Sequence, residues 1–528
     1  MGRVAAALRL APKDATLYYY RGVKYLELKD FPHALSDLNE SIRWDRRQNA
    51  AYLKRALVYR GMRNSNAAIN DFDNVLSRDP TLVEAYLGRG DTYFDQSRWR
   101  LALEDYGQAV TLDPQNPLAY YKRGRAFEAK KDWQAAAADF AQAVRIAPEF
   151  SIAREARCHA LLGAGDLEGA SLECEAALVH DPRSGEFHCM HGEVLQREGR
   201  NELALKEFDV AIECSPKTAP CHYRRGVAYL IAGQNGTAKE AFSAAIEYDP
   251  KYAEAYYGRA LVARGARDWD GELADLDNAL YLDPNFPEAH LERGCLFEQL
   301  GLWSQAIAPL DNAIRLRQDY PKAYCQRAYA NLQLHRVQQA ISDCDQAIAL
   351  NADLESRQLG QANGDSKPAI ELNAGLARPH CIRGVAKTDL GRLDEALADF
   401  QTMKQLTPDD GRAYYNLGVV YHRKGDLVKA IDLYAHASIM HYHGIPDRDI
   451  DSEHADAYFN LGLAYETQAR QNRPTPRELF HVGKSTGIPK DNWDAARECF
   501  ENVLRIRPGD AEALKHLKAI EQHDINAR

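Results

Sequence analysis

The sequence lacks the features that mark several large classes of protein. No stretch approaches the ~20 consecutive apolar residues that a membrane-spanning helix needs, so we expect no membrane insertion. Residues 1–12 contain neither an apolar core nor a cleavage site, and they do not predict a signal peptide. The ten cysteines include no C-x-x-C pair, which argues against a zinc ribbon or a disulfide framework and favours a reducing, cytoplasmic compartment.

An excess of positive charge is also missing. The chain has 76 acidic and 66 basic residues, which gives a net charge of −10. Proteins that bind nucleic acids usually carry a basic stripe, so we expect no nucleic-acid partner. No Ser/His/Asp, Cys/His or paired-carboxylate arrangement is distinguishable from the background of the sequence, so we predict no catalytic residue, cofactor or metal site.

An internal repeat is the dominant feature of the 528 residues. Asp-Pro pairs recur at multiples of 34 residues, at Asp79-Pro80, Asp113-Pro114, Asp181-Pro182, Asp249-Pro250 and Asp283-Pro284. In this register, ten contiguous repeats fill residues 15–354 and three more lie within residues 377–510. We number them repeats 1 to 13, and they start at residues 15, 49, 83, 117, 151, 185, 219, 253, 287, 321, 377, 411 and 455.

Small residues recur at fixed places within each repeat. The eighth residue is always Gly, Ala or Cys, and an alanine follows in the second half of twelve of the thirteen repeats, with Glu272 as the exception. Two helices approach closely only where both lack bulk, so these positions predict the crossing points of an antiparallel helix pair. Proline near the end of most repeats stops the second helix.

These landmarks resemble the tetratricopeptide repeat family, whose unit is a helix–turn–helix of 34 residues. Repeat 4 is a near-complete instance, with Tyr120, Gly124, Phe127, Ala136, Phe140, Ala143 and Pro148. The departures are Glu272 at the alanine position, and Arg46, Gln318, Ala352 and Tyr442 at the proline position. The resemblance implies an all-α fold, a right-handed α-solenoid (superhelix) of stacked antiparallel helix pairs.

Arginine and an acidic residue recur together sixteen residues apart. They form the series Arg21/Asp37, Arg55/Asp71, Arg89/Asp105, Arg123/Asp139, Arg157/Glu173, Arg259/Asp275, Arg327/Asp343 and Arg383/Asp399. Repeats 12 and 13 lack both partners, with Leu417 and Leu433 in one and Leu461 and Cys499 in the other. Because the pair follows the repeat, we interpret it as an ion pair between the two helices of a repeat.

The array has ends and interruptions of its own. Residues 1–14 match half a repeat and predict an N-terminal cap, and residues 511–528 predict an amphipathic C-terminal capping helix.

We predict insertions at residues 355–376, near 442–454 and at 471–492. Within these insertions, Gly483-Lys484-Ser485-Thr486 lacks the preceding glycine of a phosphate-binding loop, and Asp447, Asp449 and Asp451 lack the glycine of a calcium loop.

The resemblance also implies where a ligand binds. In this family the first helices line a concave groove, and the fifth and ninth residues of each repeat face it, with the sixth and twelfth beside them. The groove residues implied here are Tyr121, Arg125, His159, Tyr223, Val227, Tyr257, Leu261, Tyr415, Asn416, Val419, Phe459, Asn460 and Leu463. The aligned amides of Asn416 and Asn460 are expected to hydrogen-bond a peptide backbone.

The sequence therefore predicts a non-enzymatic protein-interaction scaffold, favoured as a monomer, whose partner is a protein or peptide. An extended peptide or a partner helix would lie in the groove, with the principal surface on repeats 12 and 13. The alternative is the substrate-recruitment arm of a larger enzyme, such as a glycosyltransferase, kinase or protease, whose catalytic part lies elsewhere.

Overall fold

The computed structural model describes residues 7–359, 367–440, 447–473, 475 and 491–527. In these ranges the chain forms 27 helices between Ala15 and Ala527 and has no strand. It divides into two compact halves, Met1–Gly258 and Arg259–Arg528. The predicted all-α solenoid of antiparallel helix pairs is confirmed.

Each repeat contributes a first helix with an odd label and a second helix with an even label. The first helices are α1 (Ala15–Glu27), α3 (Asn49–Gly61), α5 (Val83–Asp95), α7 (Pro117–Ala129), α9 (Ser151–Ala164), α11 (Gly185–Arg197), α13 (Ala219–Ile231), α15 (Ala253–Gly265), α17 (Pro287–Gln299), α19 (Pro321–Gln333), α21 (Lys367–Asp389), α23 (Gly411–Arg423) and α25 (Asp447–Arg470). The second helices are α2 (Phe31–Trp44), α4 (Ser65–Arg78), α6 (Trp99–Leu112), α8 (Trp133–Ile146), α10 (Leu167–His180), α12 (Asn201–Cys214), α14 (Asn235–Tyr248), α16 (Trp269–Leu282), α18 (Trp303–Leu316), α20 (Val337–Leu359), α22 (Leu393–Leu406), α24 (Leu427–Ala437) and α26 (Asn492–Ile506). A last helix, α27 (Ala511–Ala527), follows.

The small residues are where the two helices of a repeat touch. A Cβ atom on Gly124 would lie 2.7 Å from the ring of Phe140, which is closer than van der Waals contact allows. Gly192 meets Phe208 in the same way, at 2.6 Å. The eighth residue must therefore be small wherever a large aromatic residue from the second helix fills the core.

The turn between paired helices passes through left-handed backbone at one fixed position. Glycine occupies it in several repeats, as in Gly165 with φ of 77°. Other repeats place a larger residue there, as in Lys131 with φ of 61°. Asp132 then precedes α8 as its N-cap, and its carboxylate accepts from the backbone N–H of Ala135 at 3.4 Å.

The predicted Arg–acid ion pairs are confirmed in all eight repeats that carry both residues. Each arginine of a first helix donates to the acid of the second helix in the same repeat, in the pairs Arg21–Asp37, Arg55–Asp71, Arg89–Asp105, Arg123–Asp139, Arg157–Glu173, Arg259–Asp275, Arg327–Asp343 and Arg383–Asp399. Several of these arginines also bond the preceding second helix, as Arg89 does with Asp73 at 2.5 Å. One guanidinium can therefore join three helices.

The predicted insertions partly continue the neighbouring helices. Residues 355–359 extend α20, and residues 367–376 begin α21, whereas residues 360–366 lie outside the described ranges. Residues 447–454 begin α25, and residues 441–446 are not described. Most of the predicted insertion at 471–492 also lies outside those ranges. Of the predicted N-terminal cap, residues 1–6 lie outside the described ranges and residues 7–10 are helical. At the other end, Ala513 and Ile520 of α27 are buried in one cluster with α26.

Candidate functional site

The first helices of successive repeats lie side by side and form a face of each half, which we call the first-helix face. Contacts between neighbouring first helices define it. Lys122 of α7 donates to Asp91 of α5 at 2.8 Å, and Asn460 of α25 donates to Tyr415 of α23 at 2.9 Å. The fifth, sixth and ninth positions of the repeats thus meet on this face.

The candidate residues of repeats 12 and 13 are brought together around one hydrogen bond. Asn460 Nδ2 donates to the Tyr415 hydroxyl at 2.9 Å and to the carbonyl of Asp456, one turn earlier, at 3.1 Å. Both amide hydrogens are then used inside the protein. Within the described ranges no residue donates to its Oδ1, so the hydrogen-bonding capacity that Asn460 retains is that of an acceptor.

Asn416 is held more loosely than Asn460. Its Nδ2 contacts Cys381 Sγ of α21 at 3.7 Å, a weak interaction because sulfur is a poor acceptor. Asn416 therefore retains an N–H donor for a ligand, whereas Asn460 does not. That these amides hydrogen-bond a peptide backbone stays a prediction. The two residues differ because Asn460 has a tyrosine hydroxyl beside it and Asn416 has a thiol.

Aromatic residues of the same two repeats are fixed against the core. The ring of Tyr415 lies 5.9 Å from that of Tyr434, and the ring of Phe459 lies 5.6 Å from that of Phe500. Val419 and Leu463 pack against the same core cluster, which spans α24 to α27. One side of each ring is therefore buried, and these side chains form a rigid, partly apolar surface.

The apolar residues that replace the ion pair in repeats 12 and 13 are packed. Leu417 is buried and contacts a cluster that Leu433 joins, and Leu461 and Cys499 are fully buried in the last cluster. Apolar burial thus substitutes for the Arg–acid pair in holding these two helix pairs together.

Tyrosines of the N-terminal half repeat this arrangement. Tyr121 lies 5.8 Å from Phe140 and 5.3 Å from Phe150, and its hydroxyl accepts from Arg125 Nη1 at 3.1 Å. Tyr223 lies 5.8 Å from Phe242 and 5.2 Å from Tyr252. Burial raises the pKa of Tyr223, so its hydroxyl stays neutral and can donate.

The remaining predicted residues are distributed along the face rather than gathered into one site. His159 is exposed on α9, and Val227 is half-buried on α13. Tyr257 and Leu261 are half-buried on α15, where the division between the two halves falls.

Much of the charge on the first-helix face is already neutralised within the protein. Asp91 of α5 accepts from Arg60 and from Lys122 at 2.8 Å each and from the Tyr106 hydroxyl at 2.8 Å, while Arg60 also reaches Asp95 at 2.6 Å. Such a network holds α3, α5 and α7 in register and leaves little net charge for a ligand.

A second network lies further along the same half. Glu193 of α11 pairs with Arg197 at 2.7 Å and with Arg224 of α13. Arg197 also donates to the carbonyl of Leu162 in α9 at 2.9 Å. The sequence signal for both networks is opposite charge at the ninth position of one repeat and the sixth position of the next, which is not visible within a single repeat.

Two buried carboxylic acids lie in repeats 8 and 9, at the start of the C-terminal half. Glu298 of α17 and Glu272 of α16 are almost completely buried. Burial raises the pKa of Glu298 to about 8 and that of Glu272 to about 7. Glu292 is different, because it pairs with Arg264 of α15 and with Lys322 of α19, the latter at 3.3 Å.

The structure offers no geometry for metal chemistry in the ranges that it describes. No group of three or more His, Cys, Asp or Glu side chains there is placed to hold an ion. Gly483-Lys484-Ser485-Thr486 lies outside these ranges, and the side chains of Asp447, Asp449 and Asp451 are likewise not described.

Profiles of known protein families match the chain at several of its repeats. Profiles described as "TPR repeat" match residues 90–131 and 384–425. Profiles described as "Tetratricopeptide repeat" match residues 53–99, 223–289 and 291–355, and residues 118–149. The chain belongs to the tetratricopeptide repeat family. No curated protein sequence matches this tetratricopeptide repeat chain.

Three solved structures illustrate what this tetratricopeptide repeat protein is similar to. The Cut9–Hcn1 hetero-tetramer of the APC/C aligns at 14% identity over 88% of this chain and 98% of that chain, with a TM-score of 0.41. Yeast Tom70 aligns at 13% identity over 87% and 96%, with a TM-score of 0.33. YrrB, described as having an unusual peptide-binding site, aligns at 22% identity over 36% and 97%, with a TM-score of 0.29.

Proposed function

We propose that this protein is a non-enzymatic interaction scaffold that binds an extended peptide or a partner helix on its first-helix face. The observation that carries the proposal is the group formed by Tyr415, Asn416, Phe459 and Asn460 on neighbouring helices α23 and α25. It combines rings that are fixed on one side with amides that retain hydrogen-bonding capacity.

The chemistry of that group suits an extended segment with apolar side chains. The exposed edges of Tyr415 and Phe459 supply apolar contact area, and aromatic anchors of this kind dominate many interfaces. The Oδ1 atoms of Asn416 and Asn460 can accept from backbone N–H groups of the peptide, each for about 1 kcal/mol net.

Charge plays a smaller part in this proposal than shape and hydrogen bonding. Because the acidic and basic side chains around Asp91 and Glu193 are paired with each other, a partner gains little by matching them. No described helix is long and apolar enough to cross a membrane. We include in the proposal that the scaffold acts as a monomer in the cytoplasm.

The proposal is tested with a displayed library of random peptides selected against the full chain. Selected peptides are then measured against the double variant Asn416→Ala/Asn460→Ala. Affinity should fall about tenfold or more, because two hydrogen bonds of about 1 kcal/mol each are lost. The matched control is Asn278→Ala, which removes an exposed asparagine on second helix α16 whose Nδ2 also donates to the carbonyl four residues earlier.

Two results would contradict this assignment. If both variants bind with the affinity of the unaltered protein and remain folded, repeats 12 and 13 are not the site, and the centre around Tyr223 and Tyr257 becomes the next surface to alter. If selection yields no binder at all, the scaffold proposal itself fails.

A further inference from the structure

Four repeats carry a histidine at their fourth position, namely His188, His222, His290 and His380. In three of them the ring is anchored in the same way. Nε2 lies near the carbonyl of the proline six residues earlier, at 3.2 Å for His188, 2.8 Å for His222 and 3.1 Å for His290. A carbonyl only accepts, so Nε2 carries the hydrogen and Nδ1 is left to face a second partner.

In two of the four repeats that partner is a carboxylate from the second helix. Glu207 Oε2 lies 2.7 Å from His188 Nδ1, and Asp399 Oδ1 lies 3.0 Å from His380 Nδ1. In repeat 11 an arginine binds the same carboxylate, because Arg383 donates to Asp399. Its other edge donates to Asp345 at 2.6 Å. The carboxylate of Asp399 is thus held by a histidine, an arginine and Lys387, whose Nζ lies 2.7 Å from Oδ2.

Repeats 7 and 9 have the same histidine and arginine without the carboxylate. The position of Asp399 is taken by Ala241 in repeat 7 and by Pro309 in repeat 9. Four buried atoms consequently have no hydrogen-bond partner among the described residues, namely His222 Nδ1, Arg225 Nε, His290 Nδ1 and Arg293 Nε. Both histidines are more than nine-tenths buried, with exposures of 6% and 9%.

The arginines of repeats 7 and 9 each bind one carboxylate, whereas the corresponding arginines of some other repeats bind two. Arg225 pairs with Asp209 of the preceding second helix at 2.9 Å, and Arg293 pairs with Asp277 at 3.2 Å. By contrast, Arg89 and Arg327 each bond two carboxylates, one on the preceding second helix and one on their own. A buried donor without an acceptor is unfavourable, so an incoming acceptor is favoured here.

Repeat 9 has space for that acceptor. A cavity of about 280 Å³ lies between α17 and α18, lined by His290 and Arg293 on one side and by Pro309 and Asn312 on the other. It is slightly smaller than the roughly 300 Å³ at which pockets for drug-sized molecules begin. The Arg293 side chain is 34% exposed, which opens the cavity to solvent.

We propose that repeats 7 and 9 each bind the carboxylate of a ligand, in the place that Asp399 fills in repeat 11. We call these two sites the carboxylate pockets: the cavity at His290 and Arg293, and the equivalent position at His222 and Arg225, where Ala241 replaces the carboxylate. The fourth and seventh positions lie on the side of a helix away from the fifth and ninth, because an α-helix turns about 100° per residue. The pockets are therefore separate from the first-helix face. This proposal does not depend on the function proposed above.

Binding at these pockets is coupled to protonation of the histidine. Since Nε2 already carries a hydrogen, Nδ1 donates to a carboxylate only when the ring gains a proton. In the free protein, burial lowers the pKa of His290, and Arg293 of α17 and Arg315 of α18 lower it further, while the Pro284 carbonyl and Asp283 oppose them. Burial and Arg225 lower the pKa of His222 in the same way, while the Pro216 carbonyl opposes them. The ring of Tyr248 in α14 lies 5.1 Å from the His222 ring. The bound carboxylate raises both pKa values, so its affinity should fall as pH rises through the range in which the histidines lose their protons.

The test uses the full chain, with acetate as the probe and chloride at equal ionic strength as the reference. Acetate should raise the melting temperature saturably at about pH 6, near the ordinary pKa of histidine, and should show saturation transfer from the protein by NMR. The double variant Ala241→Asp/Pro309→Asp fills both pockets from within, so acetate should lose at least tenfold in affinity. If that variant fails to fold, His222→Gln/His290→Gln replaces it, with the same loss expected.

Repeat 11 supplies the converse experiment. Asp399→Ala should open a third pocket between His380 and Arg383, so this variant should be destabilised and acetate should restore more stability to it than to the unaltered protein. A destabilised Asp399→Ala variant that acetate does not stabilise beyond the chloride reference would count against the geometry.

A second arm identifies where the carboxylate comes from. A blocked peptide bearing glutamate is compared with its glutamine version and with acetate. Binding at least tenfold tighter than acetate, lost in the glutamine version, assigns the pockets to acidic side chains of a protein partner; affinity equal to acetate assigns them to small free acids. The proposal is overturned if neither acetate nor the glutamate peptide exceeds the chloride reference, or if the filled variant binds them undiminished.

Discussion

Arg123 of α7 binds Asp139 of α8 through two parallel hydrogen bonds, Nε to Oδ2 and Nη2 to Oδ1, each 2.7 Å long. The carboxylate is largely buried, whereas the guanidinium is partly open to solvent. Bidentate pairs of this kind fix the relative orientation of the two groups as well as contributing energy. Their recurrence gives the two helices the same contact in each of the eight repeats that carry the pair.

The first prediction concerns this pair. Arg123→Asp and Asp139→Arg should each destabilise the protein by about 3 kcal/mol, because each leaves two like charges facing each other at a largely buried position. The double reversal should recover part of the loss. Urea unfolding of the four proteins gives the coupling energy.

An exposed ion pair serves as the reference for that measurement. Arg100 and Glu104 lie 2.9 Å apart on α6 but are mostly solvated, so their coupling should not exceed about 0.5 kcal/mol. A coupling for Arg123 and Asp139 as small as that would mean that the repeated pair does not stabilise the fold.

The second prediction compares two glycines. Gly124→Ala should destabilise the protein by about 1–3 kcal/mol, because its Cβ would lie 2.7 Å from Phe140 in a packed core. Gly107 lies inside α6, and a Cβ there meets nothing within 4 Å. Gly107→Ala should therefore stabilise by about 0.5–1 kcal/mol through helix propensity. Equal effects of the two substitutions, measured by urea unfolding, would contradict the packing argument.

The third prediction concerns pH. Burial raises the pKa of Glu298 to about 8, while a glutamate in the unfolded chain titrates near 4.3. Between these values the native state holds a proton that the unfolded state has lost, so the free energy of unfolding falls as pH rises, and the fall ends above the folded pKa. Glu298→Gln stays neutral and should remove that decline, at about 1.36 kcal/mol per pKa unit.

Urea unfolding at about pH 5 and about pH 9 provides the measurement, since most of the decline in the free energy of unfolding falls between these two values. The exposed Glu240 gives the control, because Glu240→Gln should leave the difference between the two pH values unchanged. A Glu298→Gln variant with the pH dependence of the unaltered protein would show that this carboxyl titrates normally.

The sequence allowed prediction of what recurs within a single repeat. The spacing of sixteen residues between Arg123 and Asp139 is visible in one chain because it appears in eight repeats, and each copy reports the same contact. The eighth-position glycines were predictable for the same reason. Local periodicity was sufficient because both partners belong to one helix pair.

Relationships between neighbouring repeats were harder to predict. Asp91 is one acid among 76 in the sequence, and its contact with Lys122 depends on how α5 and α7 are placed side by side. The hydrogen bond from Asn460 to Tyr415 joins residues 45 positions apart and changes what the amide offers to a ligand. The unpartnered Nδ1 of His290 became visible only once its anchored Nε2 and the missing carboxylate at Pro309 were placed together.

The last prediction separates the ring of Tyr415 from its hydroxyl. Tyr415→Phe removes the acceptor of one Asn460 hydrogen bond, so stability should fall by about 1 kcal/mol, and the freed N–H becomes available to a ligand. For a peptide selected on the full chain, affinity should then change less than about threefold, since the apolar ring is retained and a donor is gained. Tyr415→Ala also removes the ring that packs against Tyr434, and affinity should fall at least about tenfold, as expected for an aromatic anchor. Calorimetric titration of the three proteins with one peptide checks both values. Equal losses in the two variants would mean that the hydroxyl, and not the ring, provides the contact with the peptide.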